Sequence, residues 1–314
     1  MDEDIALMRS DELAAQGFGP ARRRDLLQDD IIMRVRSGVF TFTEQWDAAW
    51  PEQRILMRAR ALALTSKRPP VFSHETAAAM HGLPLYSPDA TRVHVIAPSE
   101  RPGAARDVVR HRGDLRDDEI VEVGELRCTS LVRTVADVAR TASFEAAVTV
   151  TDAALRLAVA EDPLAEAEAR TLIRETFRRS AHGQSRAERV LRFADPRAQR
   201  PGESVSRIRL VELGFAVPDL QVAIPGPHSD STYYVDFGLD DVNALGEFDG
   251  RIKYVDGRFT LGRNPAEVLE EEKQREDWIR GIRQCPFVRW GWPHIGSAPK
   301  LGSRLASFGV HPPR

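Results

Sequence analysis

The chain has 314 residues, 42% apolar and 29% charged, an ordinary globular balance that excludes a disordered chain, a collagen and a disulfide scaffold. At about 150 residues per domain, the length predicts two or three domains. The net charge of −3, from 44 basic against 47 acidic residues, excludes a uniformly basic nucleic-acid binder and leaves room for local basic patches.

The chain opens Met1-Asp2-Glu3-Asp4-Ile5, acidic where a secretory signal is basic. No run reaches the ~18 unbroken apolar residues of a membrane span. A cytoplasmic protein without a membrane partner is expected. In the first region, 1–66, Ile5, Leu7, Met8 and Leu13 form one apolar stripe, which predicts a helix ending near Gly17. Gly19-Pro20 opens a second helix, because Pro suits the first helical position. That helix carries Arg22, Arg23 and Arg24. Ile31–Arg36 and Val39–Phe42 read as strands around the turn Ser37-Gly38. Helix, turn, helix and hairpin is the order of a winged helix-turn-helix. A longer helix is predicted from Pro51 to Thr65.

The second region, 67–178, reads as a mixed α+β domain. Ser73 suits the N-cap of a helix through Met80 that stops at Gly82. Arg92–Ala97, Val108–Arg112 and Glu119–Val123 read as short strands, and helical patterns follow from Leu131 to Arg178. His74 and His81 are seven apart and fit one helix face, with no third ligand evident. Cys128 and Cys285 lack ligand spacing, so no structural zinc site is expected.

An arginine-rich connector, 179–200, comes next. Residues 178–209 hold nine arginines against three acids (Glu188, Asp195 and Glu203), a surplus of six. From 201 to 314 the predicted order is α-β-β-β-α-β: a helix over Glu203–Leu213, strands over Leu220–Ile224, Tyr233–Leu239 and Asn243–Asp249, a polar helix from Asn264-Pro265 to Arg283, and a strand over Phe287–Trp290. If Asp240-Asp241 is a two-residue turn, 236 opposes 245 and Glu247 is the diagonal neighbour of Asp236 on one face. Diagonal neighbours lie about 7–8 Å apart at the backbone, and a turn one residue longer would send Glu247 to the other face. Two such carboxylates suit Mg²⁺ or Mn²⁺ rather than zinc. Such an ion neutralises phosphate charge and lowers the pKa of a bound water. Asp249 shares the face of Glu247. Lys253, one of only four lysines, is the candidate ammonium near that water, and Glu203 the candidate accessory ligand.

Glu203-Ser204-x-x-Arg207, Val235-Asp236-Phe237, Glu247-Phe248-Asp249-Gly250-x-x-Lys253-Tyr254 and Glu272-Lys273-x-Arg275-Glu276-Asp277 together resemble the PD-(D/E)XK nuclease superfamily. The branch most like this sequence is that of very-short-patch repair endonucleases, and the resemblance covers roughly 201–292. It implies a restriction-endonuclease-like core in which Asp236 and Glu247 bind the metal and Glu203 assists. This sequence departs from the pattern at the lysine: Asp249 stands at its usual place, and Lys253 lies four positions on.

Residues 1 to about 160 resemble AbiEi-type antitoxins of type IV toxin–antitoxin systems. The resemblance rests on Gly17-Phe18 through Arg36-x-Gly38-Val39-Phe40, on Ser73-His74-Glu75-Thr76-Ala77-Ala78-x-x-His81-Gly82-Leu83, and on Arg133-Thr134-Val135-Ala136-Asp137. It implies a winged helix that binds operator DNA and a following domain that opposes a toxin. Arg22, Arg23 and Arg24 then begin the recognition helix, Arg34 and Arg36 lie on the wing, and Arg207 joins them as a DNA contact.

Two functions are expected: an Mg²⁺-dependent DNA endonuclease, or a non-enzymatic regulator with a degenerate nuclease core and a cognate toxin as partner. Simpler readings stand beside both. Glu203 and Arg207 also form an i,i+4 helix pair, and a charge run is often a solvated face.

Overall fold

Backbone N–H and C=O groups must find partners wherever the chain is buried, and three sheets supply them among the described residues. The structure is a computed structural model and describes residues 6–97, 103–104, 106–228, 230–250 and 265–313. The chain divides into two units, Met1–Ala194 and Asp195–Arg314. Both combine helices with sheets, so the protein is of the mixed α+β class that its sequence predicts.

The first unit begins with β1 (Met8–Arg9), α1 (Ser10–Ala15), α2 (Pro20–Gln28), β2 (Ile32–Arg36), β3 (Val39–Phe42), α3 (Thr43–Ala48) and α4 (Pro51–Thr65). The opening differs from the predicted helix. Met8 pairs with Phe40 and Arg9 with Val39, so the apolar stripe starts as a strand and becomes helical only at Ser10. Leu13 still enters the core, beside Ile32 and Phe40. Gly38, at φ 82°, makes the turn between β2 and β3, a conformation that glycine adopts without a Cβ clash.

The same unit continues with β4 (Val71–Phe72), α5 (His74–Met80), β5 (Val93–Ala97), β6 (Gly103–Ala104), β7 (Val108–Arg112), β8 (Ile120–Val123) and β9 (Leu126–Thr129). These strands form one sheet in the order β6-β7-β5-β4-β9-β8. Helices α6 (Leu131–Thr141), α7 (Phe144–Glu161), α8 (Ala165–Arg178) and α9 (Gln184–Phe193) pack on one another. Ser130 and Ser143 cap α6 and α7 by accepting the Arg133 and Ala146 backbone N–H groups. The motif Arg133–Asp137 is the centre of a buried ion network. Arg133 donates to Asp137 (2.8 Å), Glu119 (3.2 Å) and the Asp114 carbonyl (2.9 Å). Arg140 also pairs with Asp137 and Arg179 with Glu119. Helix α9 lies inside the stretch read as a connector, where several arginines have internal partners. Arg186 donates to the Thr141 and Ala142 carbonyls, and Arg189 covers the Phe144 ring.

The second unit holds α10 (Pro201–Leu213), β10 (Asp219–Pro225), β11 (Thr232–Leu239), β12 (Ala244–Phe248), α11 (Pro265–Arg283), β13 (Phe287–Trp290), α12 (Trp292–Ile295) and α13 (Ala298–Ala306). The first six follow the predicted order, and α12 and α13 extend it. The sheet order is β10-β11-β12-β13. β12 and β13 are parallel, which requires a crossover connection, and α11 lies in it.

The β11–β12 register differs from the two-residue turn. Leu239 pairs with Ala244, Gly238 with Leu245 and Phe237 with Gly246. A short 3₁₀ turn over Asp240–Val242, with Asn243 at φ 48°, lengthens the connection to four residues. The change is two residues, which preserves the face on a strand of period two. One step past the last paired residues come Asp236 and Glu247, face to face rather than diagonal.

Candidate functional site

Asp236 and Glu247 sit on the two middle strands where the ladder opens. The Asp236 carboxylate accepts the Phe248 backbone N–H at 2.9 Å, so a side chain takes the place of a ladder bond. Glycines let other elements close over β12. A Cβ on Gly246 would run into the Trp290 ring, and one on Gly202 of α10 into the Phe248 ring. Trp290 is itself buried, stacks on Phe237 at 5.2 Å and donates Nε1–H to Ser206 at 2.8 Å. These contacts make it a core aromatic that fixes the strands beneath the acids.

Burial pushes both carboxyl groups above the usual carboxylate range. For Asp236 the Phe248 N–H and the charges of Arg200 and Arg275 oppose that shift without cancelling it. For Glu247 the opposition comes from Arg275 and Arg289, and the charge of Asp236 adds to the rise. The two carboxylates therefore repel one another in a half-buried setting, where charge is screened poorly. Arg275, on α11, donates to Glu247 at 2.6 Å and to the Tyr234 carbonyl at 2.6 Å. Arg289, on β13, lies 3.1 Å from the other Glu247 oxygen and also pairs with Glu272 and Glu276. The sequence reading missed both arginines as partners. Arg275 lies within Glu272-Lys273-x-Arg275-Glu276-Asp277. Arg289 carried no signal until β13 paired with β12, which sets Glu247 beside Arg289.

The other predicted residues are placed as follows. Glu203, in the first turn of α10, is 3% exposed, and its carboxylate accepts the Gln199 N–H at 2.8 Å, a role that ties down the start of its own helix. Asp249 follows β12 and lines a cleft of about 820 Å³ with Arg280, Arg289, Trp292, Arg304 and Phe308. Lys253 lies outside the described residues, as does Asn264. Among the described residues, neither Glu203 nor Asp249 joins Asp236 and Glu247 in a group with all ligand atoms within 4.8 Å; the one such trio is His74, His94 and His111.

In the first unit, Arg22 and Arg24 are exposed on α2. Arg23 donates to the Ser10 carbonyl at 2.6 Å. Arg34 is exposed beside the Phe40 ring. Arg36 is held by Asp107 and by Thr65. Arg207 is 1% exposed in α10, so a phosphate backbone has no access to it in this conformation; its charge acts on Asp195 instead. Among the described residues no helix is long and apolar enough to cross a membrane.

No family model matches the sequence. Two uncharacterized proteins of Mycobacterium tuberculosis, from two strains, are each 27% identical over 241 residues, which is 77% of this chain and 79% of theirs. The crystal structure of the RV2827C protein from Mycobacterium tuberculosis is similar at a TM-score of 0.36 and 13% identity, over 60% of this chain and 76% of that one.

Proposed function

We propose that this protein binds DNA and hydrolyses phosphodiester bonds at the Asp236–Glu247 pair with Mg²⁺ or Mn²⁺. The observation that carries the reading is the pair itself. Two carboxylates face one another at the open end of a ladder, and each is pushed toward its neutral form. Two like charges held together in a half-buried place cost stability, and such costs gather at functional sites. The donor set, two carboxylates, fits a hard dication. Bound there, the ion would neutralise phosphate charge and acidify a water. Asp236 and Glu247 would hold it, with Arg275 and Arg289 released from Glu247 to face the phosphate. Arg280, Arg304 and Trp292 in the adjoining cleft suit a strand of nucleic acid, with charge for phosphates and a ring for a base.

On this reading 201–314 is a PD-(D/E)XK-like nuclease domain. The two helices and hairpin of 1–66 act as a winged helix-turn-helix that presents Arg22, Arg24 and Arg34 to DNA. Residues 67–178 are the antitoxin-like domain.

A second reading rests on a separate observation. Both Glu247 oxygens already have arginine partners, as in a core whose cation site has been replaced by guanidinium. The protein is then a non-enzymatic regulator with a toxin partner. Incubation of supercoiled plasmid with the full chain and Mg²⁺ or Mn²⁺ separates the two. The nuclease reading requires nicking that EDTA stops and that Asp236→Ala reduces at least about 10³-fold while DNA binding persists. DNA retardation without cleavage by the wild type favours the regulator.

A further inference from the structure

The first unit contains a cluster that neither reading uses. We propose that His74, His94 and His111 form a three-imidazole site for a transition-metal dication of the Zn²⁺ type, separate from the acid pair.

The cluster is assembled by strand pairing. β5 and β7 are parallel, with His94 opposite Val109. His111 lies two residues further along β7, on the face of His94, because side chains alternate along a strand. β4 borders β5 on its other edge and delivers His74 at the start of α5. The ligand nitrogens of all three lie within 4.8 Å of one another. His111 Nε2 and His94 Nδ1 are 3.1 Å apart. The His74 and His111 rings stack with centroids 3.6 Å apart. Nitrogens bound at about 2.0–2.1 Å from a tetrahedral zinc stand roughly 3.4 Å from each other, so the spacing approaches that of a coordination sphere, and the stacked His74 and His111 rings would turn from one another for both lone pairs to meet one ion.

The supports of the cluster also suit a ligand set. His74 Nδ1 is 3.0 Å from the Ser73 hydroxyl, which leaves Nε2 for the cluster; a hydrogen bond to the second ring nitrogen is the usual partner of a metal-bound histidine. The His94 backbone is held on both sides, with its N–H donating to Thr76 at 2.8 Å and its carbonyl accepting from Ser73 at 3.0 Å. His74 has a φ of 52°, rare for a residue with a side chain and a form of strain that collects at functional positions. Burial, neighbouring imidazoles and nearby arginines hold His94 and His111 at about 4 and His74 well below its usual value. All three are neutral at pH 7, the state that binds metal. Arg140 and Arg133 are the cations whose charge acts on His74, and Asp137 and Glu119 answer that charge. An all-imidazole set selects zinc, copper or nickel over magnesium, and three histidines leave a fourth position for water or substrate.

The test is calorimetric titration of the full chain, stripped with chelator, with Zn²⁺. The expected result is a saturable site of about one equivalent per chain, additional to any Zn²⁺ taken up at the acid pair, that His94→Gln or His111→Gln weakens about 100-fold or more. Cu²⁺ bound to the wild type should show nitrogen superhyperfine splitting in its EPR spectrum, a readout that survives if the variants fail to fold. No saturable binding, unchanged affinity in both histidine variants, or a Cu²⁺ spectrum with oxygen ligands alone would overturn the site.

Discussion

Glu119 in the first unit and Glu247 in the second each face two arginines, yet their carboxyl groups move in opposite directions. Burial pushes Glu119 up, but the Arg179 hydrogen bond, the Arg116 N–H and the charges of Arg133 and Arg179 outweigh it, and the group is held below the usual range. Glu247 has comparable partners and still rises, because burial and Asp236 together outweigh them. Two arginines do not settle the state of a carboxylate; burial decides first, and at Glu247 the charge of Asp236 adds to it. The first network ties loop 113–119 to α6 and is built to stay shut. In the first network Asp137 rises while Glu119 falls; in the second both acids rise, and a dication would answer both charges, which is the physical ground for proposing chemistry there.

Breaking the closed network should have the largest effect on stability. Arg133→Ala leaves Asp137 and Glu119 buried without their main cation, and removal of one partner from a buried pair costs about 3–5 kcal/mol. Urea unfolding followed by a probe in the first unit should show that loss, and a change under 1 kcal/mol would mean the network is solvated. The histidine cluster comes next. His94 and His111 are depressed to about 4 from about 6.5, so the unfolded chain binds more protons between those values. Their stabilising contribution is complete above pH 6.5 and is lost as pH falls toward 4. Hydrogen exchange of β5 and β7 amides should track this loss, and His111→Gln should flatten it.

Asp236→Asn tests the other side of the comparison. A raised folded-state pKa means that the contribution of Asp236 is present below the unfolded value and is lost as pH rises through the folded one. At neutral pH the charge is therefore a cost, and its removal should stabilise the second unit while abolishing cleavage. Destabilisation would show that the Phe248 N–H needs the carboxylate. The smallest effect on stability belongs to Arg22→Ala with Arg24→Ala. Unfolding should shift by less than about 0.5 kcal/mol, while the salt dependence of DNA binding should lose about two phosphate contacts. An unchanged salt slope would remove α2 from the interface.

Much of the fold was legible because the signals are local. Pro20 and Pro51 mark helix starts, and Val108–Arg112 and Phe287–Trp290 are strands where the sequence placed them. The acid pair was legible through its faces, since a turn longer by two residues keeps the parity that one residue would have broken. Long-range pairing was not legible. Arg289 reaches Glu247 only through the parallel β12–β13 contact. His94 and His111 meet only through β5 and β7, and no residue spacing near Cys128 or His81 announces it. His81 itself turns to the Thr129 carbonyl at 2.8 Å, away from the helix-face partnership with His74 that its spacing suggested.

The central claim is that Asp236 and Glu247 together form a cation site, and Mn²⁺ binding tests it most directly. Titration of the full chain followed by Mn²⁺ EPR should show saturable binding that disappears in Asp236→Asn and in Glu247→Gln and persists in His111→Gln. Equal Mn²⁺ binding by the wild type and both acid variants would contradict it.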